Sequence, residues 1–152
     1  MDEGLYFEEY TEGWSFVSEG LEVTDAMIGS YVDLCKFISP TFTDKAYVNN
    51  NYSGRLAPGL FILSLAEGQV LNAGLTRRRG IFLMELAPKF LKPVFVGDCI
   101  TNYVRLYSKR LTSKPDRGVV ITSHEVKTQK GEVAISYLST RMIRTRAFVE
   151  AD

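Results

Sequence analysis

The sequence predicts an α+β fold in which an antiparallel sheet curls around one buried helix. Apolar residues recur at helical spacing in the first half of the chain, whereas after residue 80 they recur at every second position. The segment PGLFILSLAEGQVLNAG, residues 58–74, is apolar on nearly all sides through Leu65, which is typical of a helix enclosed by other structure. Such a helix followed by several strands favours a sheet packed around it.

The elements before the enclosed helix are predicted from their end signals. GWSFVSEGLEV, residues 13–23, is typical of a strand and a turn, and Thr24 then N-caps a helix over residues 25–38. One face of this helix carries an apolar stripe, which consists of Met27, Ile28, Tyr31, Leu34, Cys35 and Ile38. Pro40 ends the helix, and residues 43–55 are predicted to be a polar loop with at most a short helical turn.

The second half of the chain is predicted to form the sheet. The enclosed helix begins near Pro58 and stops at Gly74. Four strand-like segments follow it: GIFLMELA from Gly80, CITNYVRLYSKRL from Cys99, GVVITSHEVKT from Gly118 and EVAISYLSTRMIR from Glu132. The turn QKGE separates the last two strands, and it has the composition of a tight hairpin turn.

Composition limits the possible classes of function. The chain has 152 residues, of which 45% are hydrophobic and 24% charged, and this predicts one domain over residues 1–152 with a core of its own. A net charge of zero gives no field that would attract nucleic acid or an anionic membrane. Cys35 and Cys99 make neither a disulfide framework nor a zinc site. The acidic N-terminus and the absence of a long apolar run predict a soluble, cytoplasmic protein that takes neither nucleic acid nor a membrane as its partner.

Three segments carry a resemblance to one protein family. FLKPVFVGDCITNYVRL, residues 90–106, closely resembles a segment of the MaoC-like dehydratases and (R)-specific enoyl-CoA hydratases. YFEEYTEGWSF, from Tyr6, and GRLAPGLFILSL, from Gly54, are similar to the N-terminal segment and the helix entry of that family. The resemblance implies a hotdog fold, a dimer, and an acyl-pantetheine chain that enters between protomers.

The helix entry is where the resemblance implies thioester binding. Backbone N–H groups at a helix N-terminus lack intrahelical partners and lie at the positive end of the helix dipole, so they can polarise a thioester carbonyl. Gly59 matches that position, and the implied substrate contacts are Pro58, Gly59, Leu60, Phe37 and Phe42. Apart from the resemblance, Ala-Pro-Gly is typical of a helix that simply begins with proline.

The catalytic segment of the resembled family is not preserved. Its pattern is Gly-Asp-Xaa-Asn-Pro-Xaa-His-Xaa-Asp, in which the first Asp and the His activate and deliver water. SPTFTD matches the second half of this pattern only at Pro40 and Asp44, which puts Phe42 at the histidine position and Phe37 at the aspartate position. The only histidine of the chain is His124, in a predicted strand. A shift of the alignment by one residue offers Thr41 and Lys36, so no register restores the dyad.

Two carboxylates remain as catalytic candidates, and neither is predicted as catalytic outright. Asp44 is either a displaced general base or the cap of a short helical turn. Glu67 lies in the enclosed helix, where a carboxylate needs a partner or a raised pKa, and some hotdog thioesterases activate water with a carboxylate of the central helix. It lies eight residues after Gly59, about 12 Å along a helix. His124 is predicted to be a surface or packed residue, and Asp98 a turn residue.

Arg77, Arg78 and Arg79 follow the enclosed helix. They are predicted either to meet the phosphates of coenzyme A or to form a solvated loop. The sequence contains no metal-ligand spacing and no phosphate-binding glycine loop, so no metal or cofactor is expected besides the coenzyme A thioester as ligand or substrate.

Two functions follow from these patterns. The first is an acyl-CoA-binding protein of hydratase descent with a degenerate dyad, acting as a non-catalytic or partner-dependent subunit in a homodimer or in a heterodimer with a dyad-bearing hotdog subunit. The second is an active enoyl-CoA hydratase/dehydratase or an acyl-CoA thioesterase that uses substitute residues. Loss of a placed acid or base typically removes about 10²–10⁴-fold of rate, which favours the first.

Overall fold

The computed structural model describes residues 3–149. Helices fill the first half of the chain and long strands the second. After a short 3-10 helix over Phe7–Glu9, the elements are β1 (Ser15–Val17), β2 (Leu21–Glu22), α1 (Asp25–Cys35), α2 (Pro40–Thr43), α3 (Lys45–Asn51), α4 (Gly59–Asn72), β3 (Gly80–Phe90), β4 (Cys99–Leu111), β5 (Arg117–Lys127) and β6 (Val133–Arg144).

The strands form one antiparallel sheet. Its order is β1-β4-β5-β6-β3, and β2 also pairs with β4, so β3 lies at one edge and β1 at the other. The predicted strands and the predicted α+β class are confirmed. The predicted hairpin turn is also present, with Gly131 at a φ of 76° and the N–H of Thr128 bonded to the carbonyl of Glu132 at 3.1 Å.

The core lies between α4 and the concave face of the sheet. The buried residues of α4 are Phe61, Ile62, Leu63, Ala66 and Val70. The first four of these pack in one cluster with residues of α1 and β6, and Val70 joins a second cluster built from the N-terminal segment and the strands. Along the strands, the residues of these clusters alternate with residues outside the core, because successive side chains point to opposite faces of the sheet.

One expectation about α4 is wrong in part. Its composition predicted a helix covered on all sides, yet Leu60 and Leu71 are 52% and 57% exposed, and Ser64 between them is exposed too. The sheet covers one face only, so an apolar outer face remains open to solvent in the single chain. None of the helices within residues 3–149 is long and apolar enough to cross a membrane.

The first helix is shorter than predicted. Thr24 caps it as expected, with its hydroxyl oxygen accepting from the N–H of Met27 at 3.2 Å. The helix ends at Cys35 because Lys36 takes a left-handed conformation, with a φ of 58°. The late members of the predicted stripe, Leu34 and Ile38, are therefore exposed at 81% and 82%.

The predicted polar loop is also wrong in part, since residues 43–55 contain all of α3 and the last residue of α2. Asp44 separates the two helices, and its Oδ1 accepts from the N–H groups of Ala46 and Tyr47 at 2.9 and 3.1 Å. This cap satisfies two amides that have no partner inside the helix, which offsets the weak helix propensity of three consecutive asparagines.

Candidate functional site

The N-terminus of α4 opens onto an apolar groove. The helix begins at Gly59, and Pro58 before it makes no side-chain capping bond. The groove has a volume of about 400 Å³ and is lined by Gly59 and Ile62 of α4 together with Phe90 and residues 91–94. Pro58 itself is fully buried, so of the three predicted contacts on this helix entry only Gly59 and Leu60 present surface to a ligand. The helix dipole and its free N–H groups therefore face an accessible space.

Phe90 explains why a glycine begins the helix. A Cβ at position 59 would lie 2.8 Å from Cδ1 of Phe90, which is closer than any side chain tolerates. The glycine thus permits close approach of an aromatic ring to the helix start. The ring thus lies against the same backbone position that the resemblance implied for a thioester.

Phe37 and Phe42 pack against the core cluster that includes Phe61 of α4, and neither of them lines the groove at Gly59. Their ring centroids are 6.0 Å apart, and Tyr31 links them to the core with its ring 5.2 Å from Phe37 and 4.9 Å from Phe61. Phe61 is two residues after Gly59 on α4. The two positions that were predicted to match the dyad hold apolar rings packed against the core, and these rings offer neither a proton donor nor an acceptor.

Asp44 lies in a different groove. This groove, of about 510 Å³, runs between α1 and α3 and is lined by Phe42, Asp44 and Arg55 among others. Arg55 pairs with Asp25 at 2.9 Å and donates to the carbonyl of Phe42 at 3.3 Å, which ties α1 to α2. Because the Asp44 carboxylate caps α3, its oxygen is engaged by backbone amides and is not directed at Gly59.

Glu67 lies in a third groove, between α4 and the edge strand β3. The groove has a volume of about 700 Å³ and is lined by Leu60, Glu67, Leu71, Arg77 and Arg141 among others. Glu67 forms an ion pair with Arg141 of β6 and accepts from the hydroxyl of Tyr137 at 2.8 Å. The exposed fractions of the Glu67 and Arg141 side chains are only 13% and 11%. The carboxylate thus has the partner that its burial requires.

Arg141 was missed from the sequence, although a signal for it existed. Positions 135, 137, 139, 141 and 143 lie on one face of β6, and Ile135 and Ile143 at the ends of this series are buried core residues. An arginine in such a series points into the protein and needs a carboxylate. Which carboxylate it meets depends on the packing of α4 across the sheet.

A chain of polar side chains continues from this pair into the core. Asn102 donates to the Tyr137 hydroxyl at 3.3 Å and to the carbonyl of Ala66 at 2.9 Å. Its Oδ1 lies 3.3 Å from Nδ1 of His124, whose Nε2 lies 2.7 Å from the hydroxyl of Thr122. The imidazole also stacks on Tyr137 with ring centroids 4.1 Å apart.

His124 is a packed residue, as one of the two predictions for it stated. It is 1% exposed, and burial lowers its pKa from 6.5 to about 3. The imidazole is therefore uncharged near pH 7, so it offers no positive charge to a ligand. Burial also raises the pKa of Tyr137, so its hydroxyl keeps its proton.

The three arginines after α4 are separated by the fold. Arg78 and Arg79 reach the carboxylate of Glu3 at 3.4 and 2.8 Å, and Arg79 also lies over the ring of Tyr6 at 4.1 Å. Arg77 alone of the three lines the groove between α4 and β3.

Asp98 is a turn residue, with Oδ2 accepting from the N–H of Phe95 at 2.9 Å. Within the described residues, no group of histidine, cysteine and carboxylate side chains is arranged to hold a metal ion.

Comparison with known proteins identifies the fold. No family model and no curated protein matches the sequence, but solved structures do. A monoamine oxidase regulatory protein from Archaeoglobus matches with a TM-score of 0.85 at 28% identity, over 94% of this chain and 96% of that protein. A MaoC-like dehydratase from Rhodospirillum rubrum matches with a TM-score of 0.84 at 21% identity, over 95% of this chain and 100% of that protein. A MaoC domain protein from Chloroflexus aurantiacus matches with a TM-score of 0.88 at 18% identity, and this chain, covered completely, spans 46% of it.

These matches confirm the predicted resemblance. The chain has the hotdog fold of MaoC-like dehydratases and (R)-hydratases, with an antiparallel sheet wrapped on one side of a long helix. Matching structures also include the HadBC dehydratase complex of Mycobacterium tuberculosis and a double-hotdog protein from the same organism. Hotdog units of this kind therefore occur both as partnered subunits and as fused pairs.

Proposed function

We propose that this protein binds acyl thioesters of coenzyme A and that it acts as a non-catalytic or partner-dependent hotdog subunit. The observation that carries the proposal is the start of α4, where Gly59 opens on an apolar groove of about 400 Å³. Free N–H groups at that helix end suit a thioester carbonyl, and the apolar lining suits an acyl chain.

The predicted loss of the dyad supports a non-catalytic role. By the resemblance, Phe37 and Phe42 take the positions of the dyad, and both rings pack against the core. Asp44 is engaged as a helix cap, and Glu67 is held by Arg141 and Tyr137. The single histidine is neutral and buried in the sheet. Each of these three groups, Asp44, Glu67 and His124, is thus committed to a structural contact.

Partnership with a second hotdog unit is part of the proposal. The edge strand β3 is largely exposed and carries Phe82, Leu83 and Met84 at its surface. An unpaired apolar edge of this kind invites another strand, and a homodimer or a heterodimer with a dyad-bearing subunit would cover it. Matching structures that are partnered or fused support this arrangement. The free cysteines and the proposed ligand favour the cytoplasm as its location.

Three assays on the purified protein test the proposal. Hydration of crotonyl-CoA and of a longer 2-enoyl-CoA is followed by loss of enoyl absorbance, thiol release is measured on saturated acyl-CoAs, and acyl-CoA binding is measured by calorimetry. We expect binding without turnover. Hydration well above background would overturn the non-catalytic role, and thiol release alone would identify a thioesterase instead. Absence of binding would contradict the proposed ligand.

A further inference from the structure

A small cavity lies in the interior, between the N-terminal segment and the sheet. It has a volume of about 20 Å³, and its walls are mostly apolar side chains of the second core cluster. Its polar lining includes Tyr10, Thr76, Thr122, His124 and Arg141. The first four of these residues are buried. A cavity of at least about 10–15 Å³ can hold one water molecule where two to four polar groups surround it.

Two hydroxyls that line the cavity are left over by the fold. Tyr10 and Thr76 are only 3% and 7% exposed. Among the hydrogen bonds within residues 3–149, none involves the hydroxyl of either residue, although both side chains line the cavity. A buried hydroxyl without a partner costs free energy, so a group in the cavity that hydrogen-bonds to both would stabilise the protein.

The charge of Arg141 acts on the Tyr10 hydroxyl. Burial raises the pKa of Tyr10 to about 12, and the positive charge of Arg141 opposes part of that rise. The guanidinium is therefore close to the hydroxyl, which keeps its proton at neutral pH.

A directed chain of hydrogen bonds leads from the cavity to Glu67. The amide nitrogen of Asn102 donates to the Tyr137 oxygen, and the Tyr137 hydroxyl donates to Glu67. Asn102 Oδ1 can only accept, so Nδ1 of His124 carries the proton. Nε2 of His124 then accepts from the Thr122 hydroxyl at 2.7 Å. Because Thr122 gives its one hydroxyl proton to His124, its oxygen can only accept from a group in the cavity.

Arg141 lies at both ends of this chain. It pairs with Glu67 and donates to Ser139, and a guanidinium has five donors, so N–H groups remain beyond these two contacts. The same side chain lines the cavity. A group that fills the cavity must therefore accept from Arg141 and donate to Thr122. An anion cannot donate and a cation cannot accept, whereas a water molecule does both.

We propose that one water molecule occupies this cavity, accepts from Arg141 and donates to Thr122, and so closes a ring of hydrogen bonds that starts at Arg141 and ends at Glu67. Its remaining donor and acceptor serve the hydroxyls of Tyr10 and Thr76. Tyr10 belongs to the N-terminal segment and Thr76 follows α4, so the water ties both to strands β5 and β6. Thr76 and Arg141 also line the groove between α4 and β3, so the water supports the ion pair of that groove from inside the core.

A crystal structure of the wild-type protein, determined at a resolution that shows ordered water and after a soak in sodium bromide, tests the ligand. We expect one density peak at about 2.7–3.2 Å from Thr122 Oγ1 and from a nitrogen of Arg141, without the anomalous signal of bromine. An anomalous peak in the cavity would overturn the assignment in favour of a small anion. A cavity without density would overturn the site.

Substitutions test whether the two hydroxyls share one ligand. Tyr10→Phe and Thr76→Val each remove a hydroxyl and keep the shape of the side chain. Each should raise the equilibrium constant for unfolding, measured by urea denaturation, about tenfold, because a buried hydrogen bond is lost. The double variant should depart severalfold from the hundredfold product of about ten and ten, because removal of one hydroxyl changes how firmly the water binds the other.

The matched control pairs Thr76→Val with Tyr107→Phe. Tyr107 is 64% exposed, so loss of its hydroxyl should change the equilibrium constant little and should combine with Thr76→Val without coupling. Multiplicative effects of Tyr10→Phe and Thr76→Val, as in this control, would show that the two hydroxyls share no ligand and would overturn the proposed bridge.

Discussion

His124 shows how burial sets the chemistry of a single residue. Its imidazole is enclosed by Tyr137, Asn102 and Thr122, and desolvation alone lowers its pKa to about 3. In the unfolded chain the same group titrates near 6.5. Below that value the unfolded state binds a proton that the folded state refuses, so stability is lost as the pH falls from about 6.5 toward 3 and is fully present above 6.5.

The first prediction follows from this difference in proton binding. The free energy of unfolding of the wild-type protein should fall by up to about 1.4 kcal/mol per pH unit between about pH 6 and pH 4 through this group alone. His124→Gln removes the titrating group, so its free energy of unfolding should depend less steeply on pH even if it is lower at neutral pH. Urea denaturation at several pH values measures both slopes. Equal slopes would show that His124 takes up its proton at the same pH in the folded and the unfolded protein.

A second prediction concerns the Tyr137 hydroxyl. Tyr137→Phe preserves the ring that stacks on His124 but removes a donor to Glu67 and an acceptor for Asn102. Buried polar groups left without a partner cost about 1–3 kcal/mol, and the variant should lose that much stability in urea denaturation. Tyr103→Phe, which removes a hydroxyl from the exposed face of β4, is the matched control and should change little. If Tyr137→Phe leaves the free energy of unfolding unchanged, a water molecule replaces the hydroxyl.

Along α4, two glycines have different roles. At Gly59 a Cβ would lie only 2.8 Å from the ring of Phe90, whereas at Gly68 it would meet nothing within 4 Å. Gly59→Ala should therefore destabilise the protein by about 1–3 kcal/mol, and adding Phe90→Ala should remove part of that strain. Gly68→Ala should instead stabilise it by about 0.5–1 kcal/mol, because alanine favours the helix. Thermal unfolding of these variants beside the wild-type protein tests this. A gain in stability for both Gly59→Ala and Gly68→Ala would show that Phe90 moves aside without cost.

The elements that the sequence predicted are those with a strong local period. The four long strands and the start of α4 follow from alternation and from a proline before a helix, since these signals depend on neighbours in the chain. The helix α3 was missed because its stability comes from the Asp44 cap, and three asparagines hide its pattern. The candidate site was likewise predicted only in part. Glu67 was recognised as needing a partner, but Arg141 lies 74 residues away and is brought to it only by packing across the sheet.

At the scale of the whole molecule, the main exposed apolar surface lies at the β3 edge of the sheet. At β3 the backbone of one side is unpaired, and Phe82, Leu83 and Met84 are 54%, 44% and 41% exposed. The outer face of α4 next to it exposes Leu60 and Leu71. Of these residues, Leu60, Leu71, Phe82 and Leu83 line the groove that holds Glu67. A second hotdog unit on this edge would shield both elements from water and narrow the groove into a tunnel.

The last prediction tests this edge directly. Lysine on an edge strand opposes pairing because it places a charge where another strand would lie. We expect the wild-type protein to sediment as a dimer at micromolar concentration, and Phe82→Lys/Met84→Lys to sediment as a folded monomer. Val17→Lys introduces the same charge on exposed β1 at the opposite edge and should leave the dimer intact. Because β3 forms one wall of the groove over Glu67, the monomeric variant should also bind octanoyl-CoA more weakly. A wild-type monomer that binds acyl-CoA with full affinity would mean that one chain completes the site alone.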